Sequence, residues 1–195
     1  MISIGRLFSG ENWKGTKNYL NTQRYYEMAR TFFLFGLSGA LFGLGIHSTG
    51  TRLNLLTIVA VLGCLPASKS LVSLIMFCRY SSPKKDLMED IDQHAGQLSR
   101  LYDLVFTGRE RNFFVCHLAV KGNTVCGYTT EKGFDEQAFE KHILALLRAD
   151  SLTNVSIKIF DDLPKYLTRL DQMQELSCDE KNTNAILDTL KSVSL

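Results

Sequence analysis

GCLPASKS (63–70) lies between the apolar runs LNLLTIVAVL (53–62) and LVSLIMF (71–77), and its reading decides the fold. The order of apolar run, glycine, Lys-Ser and apolar run imitates a strand, a phosphate loop and a helix. The phosphate-loop pattern G-x-x-x-x-G-K-[ST] needs its second glycine so that backbone amides can wrap the phosphates. Here that position is Ser68, and Pro66 removes one of the amides. No apolar strand ending in Asp follows at a distance useful for holding magnesium. The alternative is a membrane-spanning helix interrupted at Pro66, where the freed carbonyl, Ser68 and Ser70 satisfy one another or a neighbouring helix. This reading also accounts for the flanks.

Residues 53–77 form twenty-five residues broken by one charge, Lys69. A helix crosses a bilayer with about 20 residues, within a range of roughly 17–25. Upstream, TFFLFGLSGALFGLGI (31–46) has sixteen residues without a charge and spans with help from Ala29 or from His47 and Ser48. HSTGTR between the runs is long enough to reverse direction and too short for a domain. A transmembrane hairpin of two helices, residues 31–80, is therefore expected. Arg6, Lys14, Lys17, Arg24 and Arg30 before it and Arg79, Lys84 and Lys85 after it outnumber Arg52 in the turn. That asymmetry places both termini in the cytoplasm. Residues 1–30 read as a cytoplasmic or interfacial segment whose Trp13, Tyr19, Tyr25 and Tyr26 suit headgroup level. They do not read as a secretory signal, because the apolar core starts only after thirty residues and no small-residue cleavage site follows.

Two features of the hairpin are candidate functional elements. Lys69 lies nine residues before Cys78, about 13 Å along a helix, farther than its side chain reaches comfortably. It needs carbonyls at the Pro66 kink, Ser38, a lipid phosphate or a water-filled path in an oligomer. A shorter span ending near Leu65, with 69–80 lying along the interface, stays open beside this. The first span carries Gly36, Gly39, Ala40, Gly43 and Gly45, including GALFG (39–43), and small residues one turn apart let two helix backbones approach closely. Their partner is either the second span or another copy of the chain.

The net charge of +2 conceals two unlike halves. Residues 1–80 carry eight Lys or Arg against two acids, and 81–195 carry fourteen against eighteen. An acidic second half argues against a nucleic-acid partner, since phosphate contacts require clustered cations. The five cysteines are odd in number and widely spread, unlike a secreted disulfide framework. No CxxC and no regular histidine spacing points to zinc, and no cofactor is indicated.

Residues 81–195 read as a small cytoplasmic domain of order α-β-β-α-β-α-α, making the whole an α+β membrane protein. Leu87, Ile91, His94, Leu98, Leu101 and Val105 are spaced 4, 3, 4, 3, 4, which predicts a helix of about twenty residues whose stripe pairs copies or covers a sheet. NFFVCHLAV and NTVCGYTT flank Lys121-Gly122 as a hairpin turn. That register points Phe114, Cys116, Leu118 and Val120 to one face with Val125, and sets His117 opposite Cys126 on the other. A Cys beside a His raises a thiol nucleophile, although neither an orienting carboxylate nor an oxyanion hole is visible nearby. Asp135 reads as a helix N-cap with Phe134 and Phe139 as a staple. VSIKIF from Val155 reads as a third strand, and helices follow with Pro164 in a first turn and over NTNAILDTLKSV. Asp161 and Asp162 beside Lys158 lack the second acid a metal-dependent nuclease needs and read as a strand end and helix cap.

The expected function is that of a membrane-anchored assembly or scaffold protein, acting by homo-oligomerisation or by binding a protein partner, with membrane lipids around the hairpin. The alternatives from other classes are a membrane-tethered thiol enzyme using Cys126 and His117, and a small oligomeric pore or transporter built around Pro66 and Lys69.

Overall fold

The computed structural model describes residues 14–51, 54–108, 111–176 and 180–195. Arg6, Trp13, Arg52 and one of the five cysteines, Cys178, lie outside them. The chain divides into two compact units. Residues 20–81 belong to one, and 14–19 join 82–195 in the other.

The first unit is two long helices, α1 (Tyr19–Thr49) and α2 (Leu55–Arg79). At 31 and 25 residues, both are long and apolar enough to cross a membrane. Asn54 closes the turn between them. Its Oδ1 accepts from the Thr57 amide at 2.8 Å, and its Nδ2 donates to Thr49 Oγ1 and to the Thr51 carbonyl, each at 2.9 Å. Gly45 lies against this cap, where a Cβ would sit 2.8 Å from Asn54 Oδ1. No interruption occurs at Pro66: α2 is a single helix through it. Cys64 Sγ donates to the Ala60 carbonyl and Ser68 Oγ to the Cys64 carbonyl, so side chains serve the backbone on either side of the proline.

The second unit is a four-stranded sheet with helices on both faces. In chain order it comprises α3 (Lys85–Ala95), β1 (Ser99–Thr107), β2 (Asn112–Lys121), β3 (Thr124–Tyr128), α4 (Glu136–Ala149), β4 (Ser156–Phe160), α5 (Leu163–Gln174) and α6 (Glu180–Val193). The sheet order is β1-β2-β3-β4, antiparallel except for the parallel pair β3-β4. On one face Leu118, Val120, Val125, Ile157 and Ile159 pack with Phe139, Ile143 and Leu147 of α4 and with Ile186 and Leu190 of α6. On the other face α5 contacts β3 and β4, and α3 packs against α5. The Asp135 cap accepts from the Ala138 amide at 3.0 Å, and the Phe134 and Phe139 rings pack at a tilt with centroids 5.3 Å apart, as their spacing predicts.

The order expected from the sequence lacks β1. The helix expected over the stripe from Leu87 to Val105 ends at Ala95, because Gly96 adopts φ 50° and turns the chain. Leu98 falls in the turn, while Leu101 and Val105 lie on β1. The helical spacing persisted by coincidence. Asp103, at φ 53°, and Cys116 opposite it are skipped in the β1-β2 pairing, which resumes at Leu104 with Val115. The inward face therefore passes from Leu101 to Leu104 and Phe106, and Val105 points to the opposite layer. On β2 the same irregularity puts Phe113 and Val115 in the core with Leu118 and Val120, leaving Phe114 and Cys116 on the other side. The hairpin turn is Gly122-Asn123, one residue beyond the expected Lys121-Gly122, with Lys121 opposite Thr124.

Residues 14–18 dock on the exposed side of β1. The Tyr102 amide donates to the Gly15 carbonyl at 3.0 Å, and a Cβ on Gly15, whose φ is 75°, would lie 2.7 Å from Leu101 Cδ2. Gly15→Ala should therefore lower stability by about 1–3 kcal/mol, read as a lower thermal midpoint of the detergent-solubilised chain. An unchanged midpoint would show that this segment does not contribute to the fold.

Candidate functional site

The seam between α1 and α2 is built from polar and small residues. Glu27, Thr31 and Ser38 of α1 are buried, as are Ala60, Ala67 and Ser70 of α2. Ser70 Oγ donates to Glu27 Oε2 at 2.9 Å and therefore accepts from Thr31 Oγ1, also at 2.9 Å. Arg30 stands 3.7 Å from the same carboxylate. Farther along, a Cβ on Gly63 would meet Ser38 Oγ at 2.7 Å, so glycine is what allows the helices to close there. The outer surface is the reverse: Phe32 is 74% exposed, Leu55 75% and Leu65 68%, and only 17% of the most apolar stretch of each helix is buried. A core helix of a water-soluble protein has the opposite arrangement.

Gly36, Gly39 and Gly43 do not take part in this seam. Each has nothing within 4 Å of where a Cβ would stand. The glycines that make close contacts within the hairpin are Gly45 and Gly63, at positions where the helices approach each other. Pro66 and Lys69 are also on the outside of the pair. The acid missing from the sequence reading is Glu27, one turn before the first apolar run, and its bond goes to Ser70 rather than to Lys69.

In the sheet unit, Asp92 of α3 gathers three partners. It accepts from Tyr102 Oη at 2.6 Å and Arg100 Nη1 at 3.2 Å, and it pairs with Lys17. Burial alone would raise its carboxyl, but the Lys17 and Tyr102 hydrogen bonds and the Lys17 and Arg100 charges hold it below the usual range. Tyr102, in turn, is pushed up by burial and by the bond to Asp92.

His117 and Cys126 share the layer under α5 without forming a pair. His117 stands opposite Tyr128, and Cys126 opposite Ala119. His117 Nδ1 is 2.6 Å from Tyr166 Oη, and its Nε2 has no hydrogen-bond partner among the described residues. Burial pushes this imidazole down to about 3 and raises the Cys126 thiol despite Arg169 beside it. At neutral pH the two are a neutral imidazole and a neutral thiol, which lacks the thiolate that nucleophilic chemistry requires. Tyr128 and Phe160 pack against Tyr166, and Tyr102 meets His117 edge-on, so the histidine sits within an aromatic layer. The other buried thiol, Cys116, contacts Thr130 Oγ1 at 3.3 Å and is raised to about 11 by burial. His94, from the expected seam, pairs with Asp171 of α5 at 3.0 Å, while Ile91 and Leu98 are buried inside the unit. The stripe is thus largely absorbed by the domain's own packing.

Because His117 has a folded pKa below that of an unfolded histidine, the unfolded chain binds the extra proton. Stability is full above the unfolded pKa and falls as pH drops from about 6.5 toward 3. From pH 7 to pH 5 the loss from this residue should be about 2 kcal/mol, measured by denaturant unfolding at both values. His117→Phe should flatten that interval; an equally steep loss in the variant would place the titration elsewhere.

Comparison of the chain with protein-family models, with curated proteins and with solved structures finds no match.

Proposed function

We propose that the chain is a membrane-anchored assembly protein. Its two helices cross a bilayer as a hairpin with both termini on the cytoplasmic side, copies associate through the Gly36, Gly39 and Gly43 face of α1, and the sheet domain is displayed for binding. The inverted polarity of the hairpin supports membrane insertion: a buried carboxylate and hydroxyls beneath an outer surface of exposed Phe, Leu and Ile match hydrocarbon as solvent. Topology rests on the charge asymmetry of the flanks.

The observation that carries self-association is the open glycine face. Small residues promote helix contact in lipid because they let backbones approach, where no hydrophobic drive exists between helices. In this chain the intramolecular seam is made elsewhere, so Gly36, Gly39 and Gly43 remain available to a second copy. Outward placement of Lys69 favours the same arrangement, since a neighbouring copy or a lipid phosphate would reduce the cost of a charge at depth. If copies turn Lys69 toward a common axis they form a polar path; Lys69→Leu would then reduce ion flux in liposomes.

Light scattering of the full chain in mild detergent, with the detergent contribution subtracted, tests the assembly. A discrete oligomer is expected, converted to a folded monomer by Gly39→Leu with Gly43→Leu, whereas a monomeric wild-type chain overturns the reading. Topology is checked in intact cells: an impermeant maleimide should label Thr51→Cys directly and Lys85→Cys only after permeabilisation. Labelling of Lys85→Cys from outside would reverse the orientation.

A further inference from the structure

The two edges of the sheet are treated differently. Along β1, Phe106 bridges to Ser194, the Leu195 amide donates to the Val105 carbonyl at 2.9 Å, and the Tyr102 amide donates to Gly15. Gly15, Ser194 and Leu195 therefore cover part of that edge. At the other edge, β4 pairs with β3 on one side only, and no strand or bridge among the described residues meets its outer side. An uncovered strand edge offers a row of amides and carbonyls to any extended chain.

The walls flanking this edge carry opposite charge. On the face under α5, Lys158 and Phe160 of β4 and Lys165 and Arg169 of α5 line a groove of about 550 Å3. Lys158 Nζ lies over the Phe160 ring at 5.4 Å, and Lys165 is tied to Asp162 at 3.1 Å. On the face under α4, Glu136 and Glu140 of the helix line a groove of about 150 Å3 with Phe139, Ile157 and Ile159, and Lys158 of β4 also borders it. Both acids are exposed, one turn apart on α4. Successive side chains of an added strand point alternately to these two faces.

We propose that β4 binds an extended peptide segment by strand addition, with acidic side chains alternating toward Lys158 and Arg169 and apolar or basic ones toward Ile157 and Glu140. Backbone hydrogen bonds would supply affinity, and the two grooves would supply specificity. A second copy of the same edge is a poor occupant. Two β4 strands paired about a two-fold axis normal to the sheet keep their faces aligned, bringing Lys158 beside Lys158 and Glu140 toward Glu140. Like charges across a strand pair destabilise it. The partner is therefore a different chain. This inference deepens the partner-binding part of the proposed function and does not depend on self-association through α1.

The test is fluorescence anisotropy of the labelled synthetic peptide KVEIEVEK, terminally blocked, with the full chain in detergent at low salt. Saturable binding is expected. Lys158→Glu should weaken it about tenfold or more, because it replaces attraction by repulsion, and the peptide with lysines in place of its glutamates should bind correspondingly worse. N-methylation of alternate peptide amides on the strand-facing side should also cost about tenfold, through lost backbone hydrogen bonds. Glu140→Gln should have a smaller effect, confined to peptides with a lysine on that face. No saturable binding to the wild-type chain overturns the proposal, as does binding indifferent to both Lys158→Glu and N-methylation. Oligomer mass is measured separately, so failure of peptide binding leaves the assembly result standing, and the reverse.

Discussion

Glu27 sits beneath a surface of phenylalanine and leucine, and the chain satisfies it with Ser70 and with Arg30 one turn away. An ionised carboxylate taken out of water is costly unless it is paired and hydrogen-bonded. The need to satisfy it fixes which faces of α1 and α2 meet. Once Glu27 and Thr31 are placed against Ser70, the helical repeat carries Ser38 to Gly63, where a Cβ would crowd the hydroxyl. Most of what lies outside this line is apolar, with Lys69 the exposed charge of α2 before its last turn. The open glycine face is a consequence of the same choice, because it lies away from the line that the polar contacts define.

The sheet unit is organised around β1, which receives chain from three separate places. Gly15 meets Tyr102, Ser82 donates to Asp103, and Ser194 and Leu195 close its far end. Gly15 and Ser82 belong to the segments that precede α1 and follow α2. Asp92 reinforces the first of these contacts through Lys17 and Tyr102. The positive φ of Asp103 is thus placed where a segment from outside the sheet is fastened. Its carboxylate serves that attachment, so the strained residue has a structural account in its bond to Ser82.

The elements most legible in the sequence were those set by local signals. Uncharged length announces α1 and α2, and a cap with an aromatic staple announces α4. What escaped was non-local. Strand β1 was hidden because Leu98, Leu101 and Val105 keep a helical spacing, although Leu98 lies in the turn and the irregularity at Asp103 and Cys116 puts Leu101 and Val105 on opposite faces. Gly96 was the available signal for ending the helix early. The hairpin register slipped by one residue at the turn, and that slip alone produced the expected contact between His117 and Cys126. Glu27 could have been found as a polar residue at four-residue spacing from Thr31, but its partner forty-three positions away could not.

The imidazole and thiols buried in the domain are neutral, and this bears on what the domain is for. Burial holds the His117 imidazole and the Cys116 and Cys126 thiols in their uncharged forms, and a core built that way favours cohesion over proton transfer. Its unspent polarity is at the periphery, in the basic side chains of α5, the acidic ones of α4 and the backbone of β4 between them. A sheet with residues 194–195 against one edge and two charged walls along the other has the asymmetry that the proposed strand addition requires. Under that proposal Lys158 would serve both requirements at the edge, opposing pairing with an identical strand and attracting an acidic one.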